Sequence, residues 1–377
     1  MNIAVIIVGF DRPKSLSRLF DNIKSCDDFD LVDIIFSIDK SSSQDNILKL
    51  VKSFIDNKEN CFLRTFDQRL GLREHILSCG DMVENYDAVV VLEDDIVVSK
   101  CFLSYVFSAL EFTKDDEGVA GISLYSPAIN EMSLLPFSPK RTGFDNYYLQ
   151  SAQSWGQCWS KRMWKDFRSW YSNNSSRLEL DYDMPSRIYS WPETSWKKYY
   201  MKYLVEAKKT FFYPYDSLSS NYSDVGQHNK ILTPYFQVPL ISDKKLYNFG
   251  RIKEVPNYDI FFERLGLTFN GESLCTDLYG TKRVADSRFI LTSKKIKGLK
   301  VKSYGLTYRP QEDNYLKNAE GNDVHLYDLK GLCDFEMYES KISFKLAKYH
   351  TNITWKHALL YSIITVVLKF LKKVKLI

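Results

Sequence analysis

The amino-acid sequence predicts an α/β fold in which helices cover both faces of a mostly parallel sheet. From residue 3 to about residue 112, short apolar runs alternate with segments whose apolar residues recur at helical spacing. Such alternation is typical of parallel strands joined by crossover helices. The chain has 377 residues, 45% hydrophobic and 26% charged, which is the composition of a globular protein and excludes a disordered chain.

The expected strands and helices follow one another in a regular order. Strands are expected at residues 3–8, 32–38, 61–66, 88–92 and 119–126, and helices at residues 13–23, 45–55, 72–84 and 100–112. From there to about residue 229 the sequence is aromatic and has no clear period. We expect that stretch to be irregular.

Polar groups fall at the carboxyl ends of three expected strands. They are Asp11-Arg12 after the first strand, Asp39 after the second and Glu93-Asp94-Asp95 after the fourth. In an open parallel sheet, ligands bind outside the carboxyl ends of the strands. The sequence therefore places these groups on one rim, where we expect the functional site.

The acidic triplet Glu93-Asp94-Asp95 carries the strongest chemical signal. It follows five apolar residues and so lies at the edge of a buried strand, where burying charge is costly without a cation or hydrogen-bond donors. Carboxylates are ligands that Mg²⁺ and Mn²⁺ prefer, and an ion held by one or two of them can bridge a diphosphate. The alternative is that the triplet only places negative charge at the start of the next helix.

Five short motifs occur in order along residues 1–230. They are Gly9-Phe10-Asp11-Arg12-Pro13, Ile38-Asp39, Gly71-Leu72-Arg73, the acidic triplet and Ser154-Trp155-Gly156. In order and spacing they resemble the GT-A glycosyltransferases, and more narrowly bacterial sugar transferases related to the eukaryotic N-acetylglucosaminyltransferase I family, family 13. The resemblance implies a GT-A (Rossmann-like) fold and an inverting transfer of a sugar, usually from a UDP-sugar, to a hydroxyl group.

The resemblance also implies roles for the acidic triplet. Asp95 matches the last acid of the family's metal motif, so it would bind Mn²⁺ or Mg²⁺ directly and belong to the catalytic residues. Glu93 and Asp94 would face the ribose and the donor sugar. The bound metal would stabilise the departing nucleotide diphosphate as a Lewis acid.

Four further residues are expected at the donor nucleotide. Phe10 belongs to the first motif, Arg12 and Asp39 match family positions near the base and the ribose, and Arg73 would contact the nucleotide or the diphosphate. The residues alone leave two simpler alternatives open. A surface charge at a helix start explains Arg12 as well, and a cap of the Ser-rich loop explains Asp39 as well.

The catalytic base is not where the resemblance expects it. Family-13 enzymes have an aspartate just after a Trp in the region of Trp196, whereas this sequence has Lys197 there. Glu193 is the nearest carboxylate and is the preferred candidate. Other candidates are Asp181, Asp183 and Asp224.

The segment Trp155-Gly156 is a candidate for contact with the donor sugar. Pyranose rings stack on aromatic planes, and Gly permits a close backbone approach. Tyr147 and Tyr148 are expected to extend this platform, although a Trp-rich core is the favoured explanation for the aromatic cluster as a whole. His228 lies where related enzymes close a loop over the donor, so it is a candidate contact to the diphosphate or the metal, with a structural histidine as the alternative.

Charge and cysteine usage narrow the functional class. Residues 341–377 contain eight Lys and no Asp or Glu, so the preceding 340 residues have a net charge of −4. Because the folded body has no basic excess, we expect no nucleic-acid partner. The seven scattered cysteines form no C-x-x-C pair, which favours reduced thiols and a cytoplasmic protein. The first apolar run lacks a basic leader and is expected to be a buried strand, not a signal peptide.

The C-terminal tail is expected to be a basic amphipathic helix. Residues 358–368 are uncharged, which is too short a stretch for a span of about 20 residues. Polar residues recur at helical spacing there and leave a wide apolar face, the pattern of a helix lying on an anionic membrane surface. The alternatives are a helix docked on this chain or on a second subunit, and a strand at the β-branched residues 363–367.

These observations predict three regions. Residues 1–230 would form the nucleotide-sugar-binding catalytic domain, residues 231–340 a C-terminal subdomain that would contact the acceptor, and residues 341–377 the membrane-associating tail. The predicted activity is sugar transfer to a glycan or lipid-linked glycan at the cytoplasmic face of a bacterial membrane, in surface polysaccharide synthesis. A nucleotidyltransferase is disfavoured because the first loop lacks a Gly-rich phosphate motif. A catalytically degenerate binding scaffold is the alternative that Lys197 supports.

Overall fold

A computed structural model of the chain describes residues 1–56, 58–179, 181, 183–224, 234–330, 344–351, 356, 359, 363, 364 and 367. These residues belong to two compact units. The first comprises Met1–Ala128 and Ser138–Gly266, and the second comprises Ile129–Phe137 and Leu267–Ile377.

The strands of the described chain are β1 Ile3–Gly9, β2 Asp33–Ile38, β3 Cys61–Thr65, β4 Ala88–Glu93, β5 Ile96–Val98, β6 Val119–Ser123, β7 Ile129–Asn130, β8 Leu135–Pro136, β9 Asn146–Leu149, β10 Gln157–Ser160, β11 Thr210–Pro214, β12 Ser219–Asn221, β13 Asn257–Tyr258, β14 Thr268–Phe269, β15 Glu272–Asp277, β16 Phe289–Thr292, β17 Leu299–Tyr304 and β18 Val324–Asp328. The α-helices are α1 Pro13–Lys24, α2 Gln44–Ile55, α3 Leu72–Gly80, α4 Phe102–Thr113, α5 Lys161–Asn174, α6 Ser186–Tyr189, α7 Trp196–Glu206, α8 Asp313–Leu316 and α9 Phe344–Thr351. Short 3-10 turns lie at Phe29–Leu31, Asp81–Glu84 and Pro234–Phe236.

A nine-stranded sheet forms the centre of the first unit. Its strand order is β13-β9-β11-β6-β10-β4-β1-β2-β3. The pairings β4-β1, β1-β2, β2-β3, β11-β6 and β13-β9 are parallel, whereas β10 runs antiparallel to both its neighbours and β9 runs antiparallel to β11. The mostly parallel sheet predicted from the sequence is confirmed.

Helices cover both faces of this sheet, as neighbouring strand residues show. On β2, the ring of Phe36 packs 4.4 Å from Phe20 of α1, and Ser37 hydrogen-bonds to His75 of α3. On β11, Phe211 packs against Tyr200 of α7 and Phe212 against Tyr105 of α4. Consecutive strand residues point to opposite faces of a sheet. Helices α1 and α3 therefore lie on opposite faces at β2, and helices α4 and α7 lie on opposite faces at β11.

The aromatic stretch after β6 is regular, which corrects the expectation of an irregular segment. It contributes β9, β10 and β11 to the central sheet and the helices α5 and α7. Its rings form much of the core: Trp159 and Trp164 lie 4.6 Å apart and are almost fully buried. Tyr147 and Tyr148 are fully buried on β9, so they belong to the core and do not form a platform for a sugar.

The first-unit strands predicted from apolar runs agree closely with the structure. The helix expected at residues 72–84 is shorter, because α3 ends at Gly80 and a 3-10 turn continues to Glu84. At Gly80 the indole ring of Trp164 occupies the space that a side chain would need, so a Cβ at this position would overlap the ring atoms. A glycine is therefore required where α3 meets α5.

The second unit has its own five-stranded sheet, in the order β14-β15-β16-β18-β17. One hydrophobic cluster of this unit includes Leu274, Phe289 and Leu326. The boundary between the units lies after Gly266, not near residue 230, because β13 pairs with β9 and joins the segment from 234 to 266 to the first unit.

Most of the basic tail expected at residues 341–377 lies outside the described residues, apart from α9 and five single positions. Of the helices in the described part of the chain, none has the length and apolar character of a membrane span. The six cysteines that the structure describes are buried and free, as expected, and Cys333 lies outside the described residues.

Replacing Gly80 with Ala should lower the free energy of unfolding by about 1–3 kcal/mol, because the new methyl group overlaps the buried Trp164 ring. Urea denaturation measures this change. Gly143→Ala is the matched control, since no atom lies within 4 Å of its added Cβ, and its stability should stay within about 0.5 kcal/mol of the parent. Equal stability of the two variants would contradict the packing described for α3.

Candidate active site

A cleft of about 630 Å³, including space open to solvent, lies at the carboxyl ends of β1, β2 and β4 and the start of α3. It is lined by Val8, Gly9, Phe10, Asp11, Arg12, Asp39, Arg69, Gly71, Leu72, His75, Glu93 and Asp94. The structure thus brings together the three polar groups that the sequence places on one rim.

Arg12 joins the first strand to the acidic triplet. Its guanidinium donates through Nε and Nη2 to the carboxylate of Asp94, the Nε contact measuring 3.3 Å, and through Nη1 to Oδ2 of Asp95 at 3.3 Å. The pKa of Arg12 is raised above its ordinary value because Asp94 and Asp95 outweigh the opposing effect of burial. Arg12 is therefore a structural partner of the triplet and not a simple surface charge.

Burial changes the pKa values of the other two acids of the triplet, Asp94 and Glu93. It raises the pKa of Asp94 to about 7, while Arg12 acts in the opposite direction and favours the ionised carboxylate. Because two guanidinium nitrogens contact Asp94 directly, we treat this pair as charged. Burial, and then the charges of Asp95 and Asp94, raise the pKa of Glu93 above its ordinary value.

The two carboxylate oxygens of Asp95 differ in their hydrogen bonding. Its Oδ2 accepts the hydrogen bond from Arg12, whereas its Oδ1 is buried and has no hydrogen-bond partner. A buried carboxylate oxygen without a partner is costly, so this atom fits a bound cation or donor. Within the described residues, no group of three or more His, Cys, Asp or Glu is suited to a metal ion.

Asp39 anchors the loop that leads into α3. Its Oδ1 accepts hydrogen bonds from the backbone N–H groups of Lys40 at 2.8 Å and Leu70 at 2.9 Å, and its Oδ2 accepts one from Gly71 at 3.0 Å. Asp39 is 3% exposed. It still lines the cleft, but its main action is to hold the β2 end and the 69–71 loop together.

Phe10, Arg69 and His75 also line the cleft, and of these three the sequence indicates only Phe10. The guanidinium of Arg69 lies 4.7 Å from the centre of the Phe10 ring. His75 is 2% exposed, and its Nε2 hydrogen-bonds to Ser37 at 2.8 Å. Burial lowers the pKa of His75 to about 4, so the imidazole is neutral at physiological pH. Arg69 and His75 reach the rim through the loop and helix that follow β3, and neither belongs to a sequence motif.

The segment Trp155-Gly156 leads into β10, which pairs with β4, and neither residue is among those that line the cleft. The Trp155 carbonyl accepts a hydrogen bond from Ser219 at 2.5 Å, and the backbone N–H of Tyr222 donates to the Asp95 carbonyl at 2.7 Å. Gly156 has φ +97°, and a Cβ there would approach Ser219 Oγ to 2.8 Å. A glycine is therefore needed to turn the chain beside the acidic triplet.

Lys197 is buried near the same acids. Its Nζ lies 5.9 Å from the centre of the Trp155 ring and 5.5 Å from that of Trp191, and the residue is 7% exposed. Its charge is among those that lower the pKa of Glu93 against the larger effect of burial. The position where the resemblance expects an acid thus holds a cation that acts on the triplet.

Both carboxylate oxygens of Glu193, the preferred candidate for the catalytic base, are already hydrogen-bonded. Its two carboxylate oxygens accept hydrogen bonds from Lys198 Nζ and from the Tyr199 hydroxyl, each at 2.6 Å. The Lys198 contact, followed by that from Tyr199, lowers the pKa of Glu193. Arg73 donates to the Glu193 carbonyl at 2.9 Å and is not among the residues that line the cleft, so its contact with the nucleotide stays a prediction.

The other expected base candidates are also paired. Asp181 and Asp183 both accept from Lys202 Nζ, at 3.2 Å and 3.1 Å. Asp224 accepts from Ser15 and Arg18, and although burial would raise the pKa of Asp224, these hydrogen bonds lower it. His228, the expected contact to the diphosphate or the metal, lies outside the described residues.

No protein-family model and no curated protein matches this chain. Among solved structures it is similar to GalNAc-T7 with UDP, GalNAc and Mn²⁺, at a TM-score of 0.40 and 10% identity over 57% of this chain and 42% of that one. It is similar to S. aureus TarS 1–349 in complex with UDP-GlcNAc, with a TM-score of 0.36 and 12% sequence identity over 60% of each chain. It is also similar to a cytidylyltransferase from Leptospira borgpetersenii serovar Hardjo-bovis, with a TM-score of 0.33 and 12% sequence identity over 58% of this chain and 79% of that one. The chain therefore spans less than two thirds of the two transferases, and scores this low decide neither family nor activity.

The buried neutral His75 should make stability fall in weak acid. Its folded pKa of about 4 lies below the ordinary value of 6.5, so between these values the unfolded chain binds a proton that the folded protein excludes. Stability is therefore lost as pH falls from about 6.5 towards 4, and from pH 7.5 to pH 5 this group costs about 2 kcal/mol.

His75→Gln keeps a hydrogen-bonding side chain beside Ser37 but cannot titrate in this range. Urea denaturation at pH 7.5 and pH 5 should show the parent protein losing about 2 kcal/mol more than the variant. The measurement at pH 7.5 is the internal control for damage to the fold. Equal losses for the two proteins would show that His75 is not buried in its neutral form.

Proposed function

We propose that this protein is a metal-dependent glycosyltransferase of the GT-A type, which moves a sugar from a nucleotide-diphosphate donor to a hydroxyl group. The observation that carries the proposal is Asp95. One of its oxygens is held by Arg12 while the other is buried without a partner, at the end of a buried strand beside a cleft of about 630 Å³.

The residues at Asp95 fit a divalent cation. Mg²⁺ and related ions are commonly held by one or two protein carboxylates together with phosphate oxygens of the substrate. The buried and unpartnered Oδ1 of Asp95 offers one such carboxylate oxygen. Asp95 would hold Mn²⁺ or Mg²⁺, and Arg12 fixes the orientation of that carboxylate through its Oδ2. The bound cation would supply Lewis-acid stabilisation of the departing diphosphate.

Arg12 also limits the negative charge that a diphosphate meets. By pairing with Asp94 and Asp95 it offsets part of the triplet's charge, and the raised pKa of Glu93 lowers that charge further. Without these effects, three carboxylates at one strand end would repel an anionic donor. The site is thus arranged to accept a diphosphate together with a cation.

The remainder of the cleft suits a nucleoside. Phe10 offers an aromatic face beside Arg69, and Asp39 fixes the loop before α3 so that Gly71 and His75 line the same space. Bases stack on aromatic and guanidinium planes. We propose that the base and ribose bind here and that the sugar extends towards Trp155 and Gly156.

The finer features of the proposal rest on the sequence resemblance. They are UDP as the nucleotide, a hexosyl or N-acetylhexosaminyl group as the sugar, inversion at the anomeric carbon, and a glycan or lipid-linked glycan as the acceptor in bacterial surface polysaccharide synthesis. No part of residues 267–330 carries a motif for the acceptor. Residues 231–340 remain our proposed acceptor-binding region.

A binding scaffold without catalytic activity is the second candidate, and the cation Lys197 in place of an acid favours it. The carboxylates of Glu193, Asp181, Asp183 and Asp224 are all paired with cationic side chains. Both candidates bind a donor, but only the enzyme releases nucleotide diphosphate. Donor hydrolysis or transfer therefore separates them.

Asp95→Asn should abolish the Mn²⁺-dependent part of donor turnover, lowering kcat by about 10²–10³, because it removes the charge that would hold the cation. A panel of UDP-, GDP-, CMP- and TDP-sugars with and without Mn²⁺, followed by thermal shift, first identifies the donor. Nucleotide release from that donor then measures turnover.

Asp21→Asn is the matched control, since the Asp21 side chain is 73% exposed on α1 and should leave turnover unchanged. Full Mn²⁺-dependent turnover in Asp95→Asn would refute the metal site. Donor binding with no turnover in the parent protein, for any donor or acceptor tested, would support the scaffold in place of the enzyme.

Glu193→Gln should retain turnover within about threefold of the parent. Glu193 already accepts hydrogen bonds on both oxygens and its pKa is lowered, so it is a weak proton acceptor. Steady-state kinetics with the identified donor measure the effect. A loss of about 10²–10⁴ with an unchanged KM would instead identify Glu193 as the general base.

A further inference from the structure

The C-terminal tail presents apolar side chains to solvent. Leu359, Ile363, Ile364 and Val367 are helical in the structure and are 55%, 52%, 43% and 47% exposed. At roughly 100° per residue, these four positions fall within an arc of about 140° on one side of a helix. We call these four residues the tail face.

Earlier residues of the tail are covered by the second unit. Leu346 and His350 on α9 are buried. The His350 ring stacks 5.4 Å from that of Tyr279, and its Nε2 lies 3.2 Å from Oε1 of Gln311. The chain therefore covers its own tail as far as His350 but leaves the tail face uncovered, which argues against docking of this face on the same chain.

The charge of the tail distinguishes between two partners that could cover the tail face, a second copy of the chain and a lipid surface. Residues 341–377 contain eight Lys and no Asp or Glu. Pairing two copies through their tails would bring sixteen lysines together without a carboxylate from either tail, which electrostatic repulsion disfavours. An anionic lipid surface satisfies both features, because acyl chains accept the apolar face and headgroup phosphates accept the lysines.

We propose that the tail binds the surface of an anionic bilayer, with Leu359, Ile363, Ile364 and Val367 at the acyl boundary and the flanking lysines at the headgroups. This binding is independent of the proposed transfer activity, so failure of one leaves the other standing.

Flotation of the full chain with vesicles tests the proposal. Vesicles of phosphatidylcholine alone are compared with vesicles containing about 30% phosphatidylglycerol, at 0.1 M and 1 M NaCl. The protein should float with the anionic vesicles at low salt and bind the neutral ones at least about tenfold more weakly, and high salt should weaken the anionic binding.

Two pairs of variants locate the binding surface. The double variant Ile363→Glu/Val367→Glu should weaken binding to anionic vesicles about 100-fold, because two apolar side chains leave the acyl boundary. Its control is Leu31→Glu/Leu246→Glu, two apolar positions of the first unit that are 65% and 88% exposed. Lys369→Glu/Lys372→Glu should weaken binding at least about 30-fold, whereas Lys49→Glu/Lys52→Glu on α2 should not.

Three results would overturn the proposal. The first is equal binding to neutral and anionic vesicles at both salt concentrations. The second is undiminished anionic binding by both tail variants. The third is absence of vesicle binding together with a dimer in sedimentation velocity that Ile363→Glu/Val367→Glu disrupts, which would assign the tail face to a second copy of the chain. Thermal unfolding of the variants confirms that each is folded, and donor turnover should be unchanged in all four.

Discussion

The contact of Arg12 with Asp94 and Asp95 is the interaction on which the site depends. Three carboxylates at the end of a buried strand would be too costly without compensation, and Arg12 supplies it from the connection between the neighbouring strand β1 and helix α1. Removing either partner would leave an uncompensated buried charge. The same contact leaves Oδ1 of Asp95 buried and without a partner, which is the feature that favours a divalent cation.

The rest of the first unit positions this contact. The parallel pairings β4-β1 and β1-β2 bring the ends of three strands to one edge, so residues far apart in sequence meet there. Asp39 fixes the following loop through three backbone N–H groups, and the glycine at position 156 turns the chain beside the triplet. The anchoring role of Asp39 and the pairing of Arg12 show how a polar residue can support a binding site without being free to bind.

The sequence predicted the strands β1 to β4 and their shared rim because their apolar runs are short, β-branched and separated by helical spacing. It did not predict β9 to β11, because strands buried on both faces by Tyr, Phe and Trp show no alternation that separates them from an irregular core. The sequence also did not predict the hydrogen bonds of Glu193 with Lys198 and Tyr199, since they depend on the turn that precedes α7. His75 and Arg69 reach the cleft through tertiary packing and belong to no motif.

Crystals grown with UDP and Mn²⁺ provide the most direct measurement of the central claim. An anomalous-difference map at a wavelength where manganese scatters should show one Mn²⁺ about 2 Å from a carboxylate oxygen of Asp95, with the diphosphate completing its coordination. Arg12 should still contact Asp94. Bound UDP with no manganese at Asp95, or manganese held elsewhere in the chain, would contradict the account.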